Sequence, residues 1–175
     1  DITELQRADQ VASYCMKAKE QEQSGDIPGA MKTLELASRL DAGNSEIERL
    51  LRKVKPQYEA IERKRKAGLS SVERHKEQGD EAYKNANFEQ AIEHYTKCLD
   101  TLKRDGKGDS ELALKAYSNR AACYKQISNF DGTIADCSAV LEVEHDNVKA
   151  LIRRAQAFEG VERYRFALQD VKAVL

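Results

Sequence analysis

The sequence predicts an all-α chain assembled by stacking helix-turn-helix units, and three observations carry that expectation. Apolar residues return at three- and four-residue intervals along nearly the whole chain, the spacing that gathers side chains on one face of a helix. Downstream of Val72, small residues and aromatics recur at a fixed longer interval, the mark of a repeated supersecondary unit. A composition 41% hydrophobic, 34% charged and only 6% aromatic over 175 residues suits slender helical layers in one elongated body better than a thick globule.

The first 70 residues read as three helices. Ile2, Leu5, Ala8, Ala12, Cys15 and Met16 follow a helical stripe to about Gln23, and Ser24-Gly25-Asp26 ends it. Pro28, whose missing amide proton a first turn does not need, opens a second helix with Met31, Leu34, Ala37 and Leu40 facing inward. Asp41-Ala42-Gly43-Asn44 stops it. Ser45 and Glu48 have capping-box spacing for a third helix, whose stripe runs through Ile47, Leu50, Leu51, Val54, Tyr58 and Ile61 to about Lys66. Pro56 lies inside and is expected to kink or split this helix. Arg63 to Lys66 reads as a solvated basic helix end matched to the macrodipole. Ala67 to Ser71 is a joint, and Ser70 with Glu73 forms a second capping-box pattern.

Beyond the joint a period emerges. Gly79, Ala121 and Ala155 are the small residues of successive first helices, Phe88, Phe130 and Tyr164 open the second helices, and Ala91, Thr133 and Ala167 mark the crossings. Thr133 to Ala167 is 34 residues and Ala91 to Thr133 is 42, the excess of 8 falling in the loop Lys103 to Asp109. Three units follow, over about 72–102, 111–145 and 148–175, forming a domain of residues 71–175. Ala18, Ile27, Ala30, Leu34 and Ala37 fit the frame less well, as a degenerate unit over about 11–44.

A 34-residue helix-turn-helix repeat with small residues at its eighth and twentieth positions and an aromatic at its seventeenth resembles the tetratricopeptide repeat family. Thr133, Cys137, Lys103 and His145 depart from the usual residues, and there is no Trp. The resemblance implies a right-handed superhelix whose first helices line a concave groove. Positions 2, 5, 6 and 9 of each first helix then face that groove. They supply Lys76 and Asp80, then Lys115, Ser118, Asn119 and Ala122, then Lys149, Ile152, Arg153 and Gln156. Tyr83 stands at the groove edge, and Lys125 and Gln126 are further contacts.

The set is basic in a chain of net charge -1, so positive potential would focus on one concavity and draw a carboxylate. The resemblance narrows this to the co-chaperone branch of the family, in which a clamp of Lys, Asn, Asn, Lys and Arg holds the Glu-Glu-Val-Asp tail of cytosolic heat-shock chaperones of the ninety- and seventy-kilodalton classes. Lys76, Asn119, Lys149 and Arg153 match that clamp, and Asp80 stands where the family has Asn. An Asn donates to a ligand carboxylate, whereas an ionised Asp only accepts and repels it, a difference of roughly 1 to 3 kcal/mol. Asp80 either pairs with Lys76 or Lys84 and leaves the clamp working, or marks drift toward another ligand. Two functions are therefore expected: an adaptor for acidic chaperone tails, or a repeat scaffold for a different protein partner.

Other classes are set aside. The net charge draws neither nucleic acid nor an anionic membrane, and no apolar run approaches the roughly 18 residues of a membrane span. Cys15, Cys98, Cys123 and Cys137 are too scattered for a disulfide or zinc framework and read as reduced buried thiols. His94 and Cys98 share a face as half a metal site with no second half. His75, His94 and His145 lack a nucleophile partner, and Asp105-Gly106-Lys107-Gly108 lacks the strand of a phosphate loop. The expectation is a cytoplasmic binding module with no catalysis, cofactor or metal. The start at Asp1 and the apolar last helix suggest an excerpt of a larger protein with further domains.

Overall fold

Helix-forming residues interrupted by short polar turns give helices throughout a computed structural model that describes residues 2–174, with side chains from residue 5 onward. The described chain divides into two compact units, Asp1–Gly68 and Leu69–Leu175.

In the first unit α1 (Ile2–Gln23) packs on α2 (Ile27–Leu40), and both contact α3 (Ser45–Ala67). Asp26 caps α2 by accepting from the Gly29 amide at 3.0 Å, and Gly25 turns the chain at a φ of +84°, which a side chain would oppose. The core is Val11, Cys15 and Ala18 against Ile27, Ala30, Leu34, Ala37, Ile47, Leu50 and Val54. Three expectations for this unit differ from the structure. The inner face of α1 is Val11, Cys15 and Ala18, while Leu5 is 71% and Met16 64% exposed; the Ile2 side chain lies outside the described residues. At 1.5 Å per residue, 22 residues of α1 outrun 14 of α2 by roughly 12 Å, so its early turns have no apolar partner on that helix. The cap of α3 is Asn44, whose Oδ1 accepts from the Glu46 and Ile47 amides; Ser45 is the first helical residue. Pro56 does not divide α3, which continues to Ala67. Pro56 and Arg52, the residue one turn back, are both exposed, so water can serve the carbonyl that proline leaves free.

The second unit holds α4 (Ser71–Lys84), α5 (Phe88–Arg104), α6 (Glu111–Gln126), α7 (Phe130–Val143), α8 (Val148–Gly160) and α9 (Tyr164–Val174). Each hairpin packs on the next through α5 with α6 and α7 with α8, and the first helices α4, α6 and α8 are neighbours in turn. Ser70 and Glu73 exchange the two hydrogen bonds of a capping box at the start of α4. Ser70→Ala is expected to lower the unfolding free energy of this unit by about 1 kcal/mol in urea denaturation.

The recurring residues do what their types suggest. Phe88, Phe130 and Tyr164 are the first residues of α5, α7 and α9. Ala91 and Thr133 are fully buried at the crossings and Ala167 is half-buried. A side chain at Gly79 would come within 2.7 Å of the Tyr95 ring, so only glycine lets α5 lie this close. The turn inside each hairpin repeats as well. Ala86, Ser128 and Glu162 each adopt a φ near +57°. The amide after each one, from Asn87, Asn129 and Arg163, closes the turn on Ala82, Tyr124 and Phe158. The loop between α5 and α6 is shorter than expected, since Lys103 and Arg104 extend α5 and the chain turns at Asp105 and Gly106.

A buried ionic device also repeats. Arg120 on α6 grips Asp136 on α7 with two bonds of 2.8 and 2.7 Å and reaches back to Thr96 on α5 at 2.8 Å. Arg154 on α8 grips Asp170 on α9 in the same way and reaches back to Ser138 on α7. Each arginine thus ties its own hairpin to the one before. Burial pushes the Asp136 carboxyl up, and the Arg120 guanidinium works against that push. The corresponding places in the first hairpin are Gln78 and His94, and the His94 ring stacks on His75 with centroids 6.0 Å apart.

Candidate functional site

A hollow of about 340 Å³ opens in the second unit, lined by Asp80, Tyr83, Lys84, Tyr95, Asn119, Ala122 and Arg153. Four helices supply it: α4 gives Asp80, Tyr83 and Lys84, α5 gives Tyr95, α6 gives Asn119 and Ala122, and α8 gives Arg153. Residues up to 73 positions apart meet here because consecutive first helices are neighbours, and the lining draws on their sixth positions, Asn119 and Arg153, and ninth positions, Asp80 and Ala122.

Its floor is a network around one carboxylate. Lys76 Nζ donates to Asp80 Oδ2 at 2.6 Å, while Tyr95 Oη and Asn119 Nδ2 both donate to Asp80 Oδ1, at 2.7 and 2.9 Å. The Tyr95 ring is 1% exposed. Burial first, and then the Asp80 carboxylate it donates to, push its phenol far above the ordinary range, so it stays a neutral donor. On the opposite wall Arg153 is steadied by Nη1 donating to Ser118 O at 3.0 Å and Ser118 Oγ at 3.3 Å. Tyr83, 37% exposed, leans edge-on against Phe88 and forms an apolar rim.

Of the residues read from sequence, Asp80, Tyr83, Asn119, Ala122 and Arg153 line the hollow and Lys76 reaches it through Asp80. Lys149, Ile152, Gln156, Lys115 and Gln126 are exposed and outside its lining. Lys149 stands one helical turn before Arg153, Gln156 accepts from Lys125 Nζ, and Lys115 pairs with Glu111. Tyr95 lies on a second helix, outside the first-helix positions that the repeat frame assigns to the groove.

A larger depression of about 670 Å³ lies in the first unit between α2 and α3, lined by Met31, Glu35, Ser38, Arg39, Glu48, Leu51, Arg52 and Lys55. Its charges are of both signs and Arg52 faces Glu48, so no donor set converges there as it does on Asp80. Among the described residues no three His, Cys, Asp or Glu side chains are placed to hold a metal ion, and no helix is long and apolar enough to cross a membrane. The four cysteines are buried free thiols, and burial pushes Cys123 and Cys137 up to about 11.

Paired helices in register, joined by identical turns and lined on one side by first-helix side chains, define a stacked helical-hairpin repeat protein. No family model matches the chain. Among solved structures, the Arabidopsis OM64 TPR domain is 31% identical with a TM-score of 0.51, covering 60% of this chain and 80% of that one. On that match the chain belongs to the tetratricopeptide repeat family. The TPR2B domain of yeast Sti1 in complex with an Hsp70 peptide is 29% identical with a TM-score of 0.50, covering 59% and 76%. The first TPR of Spaghetti (RPAP3), bound to the HSP90 peptide SRMEEVD, is 25% identical with a TM-score of 0.51 over the same shares. Sperm-associated antigen 1A of Danio rerio is 42% identical over 100 residues, 57% of this chain and 23% of that protein. The human mitochondrial import receptor subunit TOM34 is 37% identical over 105 residues, 60% and 34%. The chain therefore spans about a quarter to a third of the length of these curated relatives.

Proposed function

We propose that the second unit is a receptor for the acidic C-terminal segments of heat-shock chaperones of the Glu-Glu-Val-Asp type, and that the protein carrying it acts as a co-chaperone adaptor. The observation that carries this reading is the meeting of Asn119 and Arg153 with the Lys76 and Asp80 pair in one hollow. Lys84 on its wall and Lys149 one turn above add positive charge, and Tyr83 and Ala122 give an apolar flank for a Val or Met side chain. Two structural neighbours, the Sti1 and RPAP3 domains, hold chaperone peptides, which supports the same ligand class. The mechanism is capture without chemical change: arginine and lysine pair with side-chain carboxylates along the peptide.

Titration of a fluorescent Met-Glu-Glu-Val-Asp peptide tests this. Binding should weaken as salt rises, and Arg153→Glu should lower affinity by about tenfold or more, or about 1.4 kcal/mol. Equal affinity for the C-terminally amidated Met-Gln-Gln-Val-Asn peptide, which carries no carboxylate, would reject it. A second reading, a scaffold for a partner without an acidic tail, is favoured by one feature, the closure of three hollow-floor donors on Asp80.

A further inference from the structure

We propose that Asp80 is a resident carboxylate that occupies the chain's own anion site, so that the hollow reads the acidic side chains of a peptide and is indifferent to whether that peptide ends there. This rests on the acidic-peptide reading above and specifies which part of the peptide is recognised. Lys76, Tyr95 and Asn119 come from three helices and converge on the two oxygens of one carboxylate at 2.6 to 2.9 Å. That is the donor set a free α-carboxylate would require, an ammonium with two hydrogen bonds. Here the anion is supplied from within. Being tethered, it is always at its site, and an incoming carboxylate must displace it against like-charge repulsion at contact distance.

The surroundings hold it in place. Tyr95 is packed under Gly79 and cannot swing away, since its ring already lies closer to α4 than any side chain there would permit. The Lys76 charge is cancelled by its partner four residues on, leaving no net charge at the floor. What remains is on the walls and rim. Arg153 uses Nη1 on Ser118, Lys84 lines the hollow, and Lys149 stands exposed nearby. These cations address side chains along an extended acidic segment, and none encloses a chain terminus. The ligand class is thus an acidic peptide stretch that can continue past the hollow.

Three versions of the same fluorescent peptide decide the matter: Met-Glu-Glu-Val-Asp as free acid, as C-terminal amide, and extended beyond Asp by Gly-Ser-Gly. Wild-type protein should bind all three within about threefold of one another. Asp80→Asn removes the resident charge and returns an amide, and should prefer the free acid over the amide by about tenfold or more. Wild-type preference for the acid by about tenfold would overturn the proposal while leaving the receptor standing. Absence of acid preference in Asp80→Asn would overturn it equally. Failure of every peptide to bind either protein would reject both the proposal and the receptor.

Discussion

Asp136→Ala is expected to cost the second unit about 3 to 5 kcal/mol of unfolding free energy in urea denaturation. The aspartate side chain is 5% exposed and that of Arg120 14%, so deleting the carboxylate leaves a guanidinium shut in the interior, with its remaining side-chain hydrogen bond going to Thr96. Single domains are commonly stable by about 5 to 15 kcal/mol, so this is a large share. The reverse deletion, Arg120→Ala, should be comparably severe and should carry a pH signature. Burial already pushes the Asp136 carboxyl up against the pull of Arg120. Without Arg120, the folded pKa rises further above the unfolded value, and the folded state then binds the proton more readily than the unfolded one. Stability is therefore fully present below the unfolded pKa and lost as pH rises through the folded pKa, so the Arg120→Ala deficit should shrink on going from pH 8 to pH 5. Replacing both partners, as Arg120→Met with Asp136→Leu, should recover most of the loss, because two desolvated charges are removed together. A single Asp136→Ala variant within about 1 kcal/mol of wild type would refute the account.

Nothing in a hydropathy pattern reveals this device. Arg120 and Asp136 lie 16 residues apart and each reads as an ordinary surface charge on an amphipathic helix. A signal was nevertheless available, for Arg154 and Asp170 repeat the pair 34 residues later. Polar residues recurring at the repeat interval answer to packing as much as glycines and alanines do. Gly79, Phe88 and Ala91 were legible for the complementary reason: a small residue or a ring at a helix crossing is dictated by steric contact within one hairpin, and local spacing is enough to find it. The αL residues Ala86, Ser128 and Glu162 are not legible in the sequence because they are none of the types that usually signal positive φ.

The candidate site divides in the same way. Asn119 and Arg153 could be placed because helix periodicity fixes which face a first-helix residue presents. Lys115, Lys149 and Gln156 could not be distinguished from them by that rule. Their position depends on how each helix is rolled against its neighbours, which the core residues Leu114, Tyr117 and Leu151 decide. The pairing of Asp80 with Lys76 was one of two outcomes open from sequence. The further bond from Tyr95 depends on the closeness of α4 and α5, which Gly79 permits, and that from Asn119 on the placing of α6 beside α4.

Tyr95 therefore joins the packing of α4 on α5 to the Asp80 network on which the proposed receptor rests, and its two truncations should separate them. Tyr95→Ala removes a whole ring from a site 1% exposed, leaving a void beside Gly79 in the core of this unit. The expected loss is about 3 to 5 kcal/mol, measured by urea denaturation. Tyr95→Phe keeps the ring and deletes one hydrogen bond. Asp80 Oδ1 retains Asn119 and Oδ2 retains Lys76, so the loss should be only about 1 kcal/mol. The phenylalanine variant should nonetheless alter the hollow, because a carboxylate held by two donors is displaced more readily than one held by three. Comparing the free-acid and amidated peptides on Tyr95→Phe should show a modest preference for the acid, between that of wild type and that of Asp80→Asn. A ring deletion costing no more than the hydroxyl deletion would mean that Tyr95 does not pack the α4 and α5 interface. The close approach at Gly79 would then need another cause.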